Sequence, residues 1–187
     1  MNPQEFSKLL RSHAAELSHA YASRWPRIMK VEAINHFHQG FRLGGFINQS
    51  LQKWDRTRRQ DIPFNGAVAY YEPLNSKSNT LMNSIDGKTE PGAVTMFVAS
   101  PYAQYHNEGA TATVTPRMRK FFWAKHYECK KAHGADDYET QFWKNMALIR
   151  KPYITIPQRK FIGASTQLMN TIENKILADI KRILNAN

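Results

Sequence analysis

His106, Asn107 and Glu108 stand at the H-x-E spacing of zinc deaminases, where the histidine ligates the metal and the glutamate moves protons. That chemistry needs a later P-C-x-x-C pair, and the chain holds 1 cysteine, Cys129. The metal site cannot be completed. His126, Cys129 and His133 fall at i, i+3 and i+7, close to one helical face, with Asp136 or Asp137 as a fourth ligand. The spacing matches no zinc-finger pattern, so the simpler reading is a helix face with an incidental thiol. His36 and His38 diverge by about 200° on a helix, which prevents joint chelation there. No nucleophile elbow G-x-S-x-G and no phosphate loop occurs, and Gly163-Ala164-Ser165 only opens the last helix. The expectation is a chain without metal, cofactor or catalysis. A nuclease built from scattered acids and histidines is the enzymatic rival that spacing leaves open.

Two stretches interleave cations with aromatics. Trp54 sits among Lys53, Arg56, Arg58 and Arg59. Arg117, Arg119 and Lys120 open a second stretch that carries Phe121, Phe122, Trp123 and Tyr127 as far as Lys131. Cations can meet phosphates, and aromatics can stack on bases or anchor interfaces. The bland alternative is a solvated helix with one buried aromatic face. The whole chain carries 26 Lys and Arg against 15 Asp and Glu, a net +11 that favours polyanions or acidic protein surfaces.

These residues need a scaffold. At 187 residues the chain can hold a core without staples, and a lone cysteine suits a reducing compartment. Met1 to Leu10 has no long apolar run, and no stretch of about 18 apolar residues occurs, so neither export nor a membrane span is expected. Asn2-Pro3-Gln4-Glu5 reads as a capped helix start. A second helix is expected from near Pro26 to Gly44-Gly45. Asn48 to Lys77 reads as a long exposed basic loop, with local strands near Val68 to Tyr71. Leu81 to Ile85 reads as β-structure, Asp86-Gly87 as a turn and Ala93 to Ala99 as a strand. Helical character returns over Arg117 to Lys131 and Glu139 to Ile149, and Tyr153 to Ile156 is a short strand. After Ser165, the residues Leu168, Met169, Ile172, Ile176, Ile180, Ile183 and Leu184 form one apolar stripe of an amphipathic helix.

The expected architecture is α+β, a small antiparallel sheet flanked by N-terminal helices and a long C-terminal amphipathic helix. It reads as one domain. N-terminal helices fill 1–45, a basic loop 46–77, a sheet 78–164 with a helical insertion at about 117–149, and the last helix 165–187.

Two phrases, Pro101 to Ala110 (PYAQYHNEGA) and Ile156 to Ser165 (IPQRKFIGAS), followed at once by the terminal helix, resemble the phage virion morphogenesis family. That family covers Mu-like and P2-like tail completion proteins and, more distantly, minor tail or neck proteins similar to the tenth gene product of HK97. Its "YA-x-x-H-x-x-G" turn is matched by Tyr102, Ala103, His106 and Gly109. Its "I-P-x-R-x-F-[LI]-G" strand is matched by Ile156, Pro157, Arg159, Phe161, Ile162 and Gly163. Leu81 to Ile85 resembles an earlier "L-x-x-S-I" element, Thr115 to Phe122 a basic segment of the Mu-like branch, and Trp54 a tryptophan of the early loop. Gln158 and Lys160 replace the commoner alanine and proline, and Tyr127 to Lys151 looks like an insertion or an elongated helical hairpin.

The resemblance implies a structural virion protein of the tail end or neck: a tail completion protein, a tail terminator or a head–tail joining protein. Its partners would be tail-tube or connector proteins and further copies of itself in a ring. DNA in the channel is a non-specific contact, and no membrane is involved. Assembly would occur in the host bacterial cytoplasm, and the product would reside in the virion. Tyr102, His106, Gly109, Pro157, Arg159 and Phe161 are then structural or interface residues, with Phe161 anchoring the last helix on the sheet and Arg159 holding a carboxylate or backbone carbonyls. Trp54, Arg117, Arg119 and Lys120 are candidate contact residues. The alternative function is a basic nucleic-acid-binding accessory protein.

Overall fold

The computed structural model describes residues 2–57, 60 and 71–186. Helix α1 spans Pro3–His19, and Asn2 and Glu5 form the expected capping box at its start. The helix does not stop before Pro26. A π-helical turn, Ala20–Arg24, carries it into α2, Trp25–Leu43. Pro26 stands in the first turn of α2. Gly44 then ends α2 in a left-handed conformation, φ 66° and ψ 41°, that a glycine adopts without strain.

The architecture is α+β, as expected, and among the described residues its strands form three separate antiparallel pairs rather than one sheet. Strand β1, Gly45–Ile47, pairs with β2, Leu51–Lys53. Leu81 belongs to a one-turn helix α3, Thr80–Asn83, so the β-reading of Leu81 to Ile85 holds only for its last residue. Strand β3, Ile85–Glu90, pairs with β4, Ala93–Val98. The turn between them is Pro91-Gly92. Asp86-Gly87, read as a turn, lies inside β3, paired with Phe97 and Met96.

Helix α4, Ala103–Glu108, leads through Gly109 into β5, Ala110–Thr113, which pairs with β6, Tyr153–Ile156. Between those two strands run α5, Pro116–His133, and α6, Tyr138–Ala147. Thr115 caps α5 and Asp137 caps α6 through side-chain oxygens, which accept from amides the helices leave free. The last helix, α7, is Thr166–Leu184, capped by Ser165.

The core gathers Ala33, Phe37 and Phe41 of α2 with Phe46, Trp54, Leu81, Ile85, Ala103, Phe161 and Leu168. Phe161 meets the Phe41 ring edge-on at 5.3 Å, so it anchors the chain against α2 rather than against a sheet. Helix α7 packs on α2 and α1. Ile183 is fully buried there, whereas Met169 and Leu184 point to solvent, so the apolar stripe is narrower than the sequence implies. Asp179 of α7 accepts from Trp25 Nε1 at 2.8 Å and from Arg24 Nε at 2.9 Å, tying the π-turn region to the last helix. No described helix is long and apolar enough to cross a membrane.

Candidate functional site: a buried arginine cleft and a projecting helical arm

The two phrases that resemble the phage family lie against one another. The backbone N–H of Arg159 donates to the His106 carbonyl at 2.7 Å. Asn107 Oδ1 accepts from the N–H groups of Phe161 at 3.0 Å and Ile162 at 3.1 Å. Gln158 Nε2 donates to the Asn107 carbonyl at 3.2 Å. Gly109 has φ 76°, and a Cβ there would sit 3.0 Å from the Gln158 amide nitrogen. Glycine satisfies both the backbone angle and the close approach. Asn107 is the residue that does most of the joining. Its place inside the H-x-E triplet gave no sign of that.

Arg159 is 8% exposed, and Phe161 beside it 2%. The one side-chain hydrogen bond of the Arg159 guanidinium among the described residues runs from Nη2 to the Asp55 carbonyl, at 3.2 Å. Among the described residues its Nε is buried without a partner, as is His106 Nδ1. Both residues line a cleft of about 310 Å³ together with Thr57, Leu74, Asn75, Ser76, Leu81 and Tyr102. Burial, and then the positive charge of Arg159, holds the His106 imidazole below its ordinary 6.5. Burial also lowers the pKa of the Arg159 guanidinium, against the opposing pull of Asp55. Tyr102 is 41% exposed and meets His106 edge-on, while Pro157 is exposed beyond the end of β6.

Trp54 does not lie on an exposed loop. It is 9% exposed, its ring meets Phe41 at 5.4 Å, and its Nε1 donates to the Lys160 carbonyl at 2.7 Å. The basic-loop reading fails for Leu51 to Trp54, because β2 and the buried tryptophan tie that stretch to α2. Arg58, Arg59 and the strand expected at Val68 to Tyr70 lie outside the described residues; Tyr71 is a bend.

Helices α5 and α6 pack chiefly on each other. They bury Phe122, His126, Cys129, Thr140 and Ala147 in a small core of their own. The arm they form is carried on the β5–β6 ribbon. His126 Nδ1 pairs with the Thr140 carbonyl at 3.0 Å, Asp137 is used as a cap, and His133 is exposed. No group of three metal-ligating residues is assembled among the described residues. His36 and His38 instead reach the carbonyls of Ile47 and Met82.

The outer side of α5 carries Arg117, Lys120, Phe121, Tyr127 and Lys131, all exposed and at helical spacing. Arg117, Lys120, Lys130, Lys131, Arg150 and Lys151 make no ion pair among the described residues. Arg119 is different. Its Nη1 donates to the carbonyls of Ala147 at 3.1 Å and Ile149 at 2.7 Å, closing the end of α6 onto α5.

Comparison with protein-family profiles, with curated proteins and with solved structures finds no match to this chain.

Proposed function

We propose that this chain is a non-enzymatic structural protein of a tailed phage or prophage virion, acting at the tail end or neck by protein–protein assembly. The observation that carries this reading is the joining of α4 to the Gln158–Ile162 segment through Asn107, Gly109 and the Arg159 N–H. The phrases that resemble the morphogenesis family are separated in sequence by the whole arm, yet they form one hydrogen-bonded unit. A chance likeness of two short motifs has no reason to fall on a single contact.

The arm supports assembly as the mode of action. Phe121 is 52% exposed and Tyr127 62%, beside unpaired cations on the same helix. Large aromatics and arginine are the side chains enriched at protein interfaces. A closed ring, in which one patch meets a different patch on the next copy, lets one small chain build a symmetric collar. Mass spectrometry of purified virions from the phage that encodes this chain tests the reading. A structural role requires a fixed number of copies per particle, and absence from washed particles would refute it.

The same cations favour a second reading, a basic nucleic-acid-binding accessory protein. That reading requires tight duplex or single-strand binding with a steep loss of affinity as salt rises. Fluorescence anisotropy over a salt series separates the two, because a neck protein has no need of tight binding.

A further inference from the structure

The cleft beside Arg159 has chemistry that the fold does not use. A guanidinium whose Nε–H is out of water, as in Arg159, normally gives that donor to a carboxylate or another acceptor. Among the described residues Arg159 has neither: its side chain makes one bond, to a neutral carbonyl, and its Nε–H has no partner. Asp55, the acid that acts on it electrostatically, supplies only a backbone oxygen. The neighbouring cleft walls mix the hydroxyl-bearing Thr57 and Ser76 with the apolar Leu74 and Leu81.

The geometry points to a binding site for a carboxylate group, received by the Arg159 guanidinium in the cleft lined by Tyr102 and His106. A planar carboxylate matches the guanidinium fork. Charge matching selects it over a phosphate. Arg159 is the one lysine or arginine among the described residues that line the cleft, so a dianion would stay half-compensated. The apolar walls suit a carboxylate on a short hydrocarbon stem, as in an acidic side chain, a chain terminus or a small organic acid. The inference rests on the cleft alone and stands apart from the virion reading.

The test is a titration of the intact chain with sodium acetate against sodium chloride at constant ionic strength and pH 7.5. It follows the His106 ring resonance by two-dimensional NMR. The expected result is a saturable shift with acetate and none with chloride. Arg159→Lys keeps the charge but loses the fork, and should weaken acetate binding by about tenfold or more. If the arginine variant does not fold, neutral acetamide replaces acetate on the native chain: it should give no saturable shift, and a shift equal to that of acetate would overturn the proposal. Equal shifts with both salts, no shift, or unchanged affinity in a folded Arg159→Lys chain would overturn the proposal. Sedimentation of the same samples assigns the source. Self-association that acetate competes away points to a carboxylate of a second copy; acetate binding without change in sedimentation points to a free small acid.

Discussion

Asn107 Oδ1 accepts the backbone N–H of Phe161 at 3.0 Å and, with the same oxygen, that of Ile162 at 3.1 Å. One side chain thus fixes the start of the segment that leads into α7. Asn107→Ala leaves both donors without their partner. The expected cost is about 1–3 kcal/mol, read as a lower midpoint in chemical denaturation. An unchanged midpoint would mean that water replaces the asparagine freely.

Phe161 occupies the centre of the core beneath that contact. Phe161→Ala should destabilise by about 3–5 kcal/mol, through lost burial and the cavity left against Phe41. Thermal unfolding checks this, and a variant that melts with the native chain would contradict the packing.

Neighbouring cations on α5 should behave in opposite ways. Arg119→Ala removes two bonds to carbonyls at the end of α6 and should cost about 1–3 kcal/mol. Lys120→Ala and Arg117→Ala, both exposed, should stay within about 0.5 kcal/mol of the native chain. Their effect belongs to partner or polyanion binding, read by pull-down or anisotropy. Equal destabilisation by all three would show that the outer face of α5 is packed.

The pH dependence of stability follows from His106. Its folded pKa lies below the unfolded value of 6.5, so below that pH the unfolded state binds protons that the folded state resists. Stability contributed by this residue is present above 6.5 and declines as pH falls through 6.5 toward the folded pKa. His106→Gln should flatten that part of a denaturation series taken between pH 7.5 and 5. A slope equal to the native one would assign the effect to other groups.

Much of the secondary structure is legible in the sequence because its signals are local. The capping box at Asn2, the strand at Tyr153 to Ile156 and the Ser165-capped last helix need only neighbouring residues. What was illegible depends on long-range contacts. Trp54 amid cations reads as an exposed loop, but the Lys160 carbonyl and Phe41 draw it inward. Asp86-Gly87 reads as a turn, but pairing with β4 holds it in a strand. The π-turn at Ala20–Arg24 lets one helix run past a proline that would otherwise mark a boundary. At the site, Arg159, His106, Gly109 and Phe161 were each visible in sequence. The cleft, the unpartnered guanidinium and the joining role of Asn107 were not, because they exist only once α4 meets the later segment.

The most direct test of the proposed virion role is to delete this gene in its native genome and image the released particles by electron microscopy. Full heads separate from tails, or tails that are unjoined or overlong, are expected, restored by the gene supplied in trans. Normal, joined particles would contradict it and shift the weight to the nucleic-acid-binding reading.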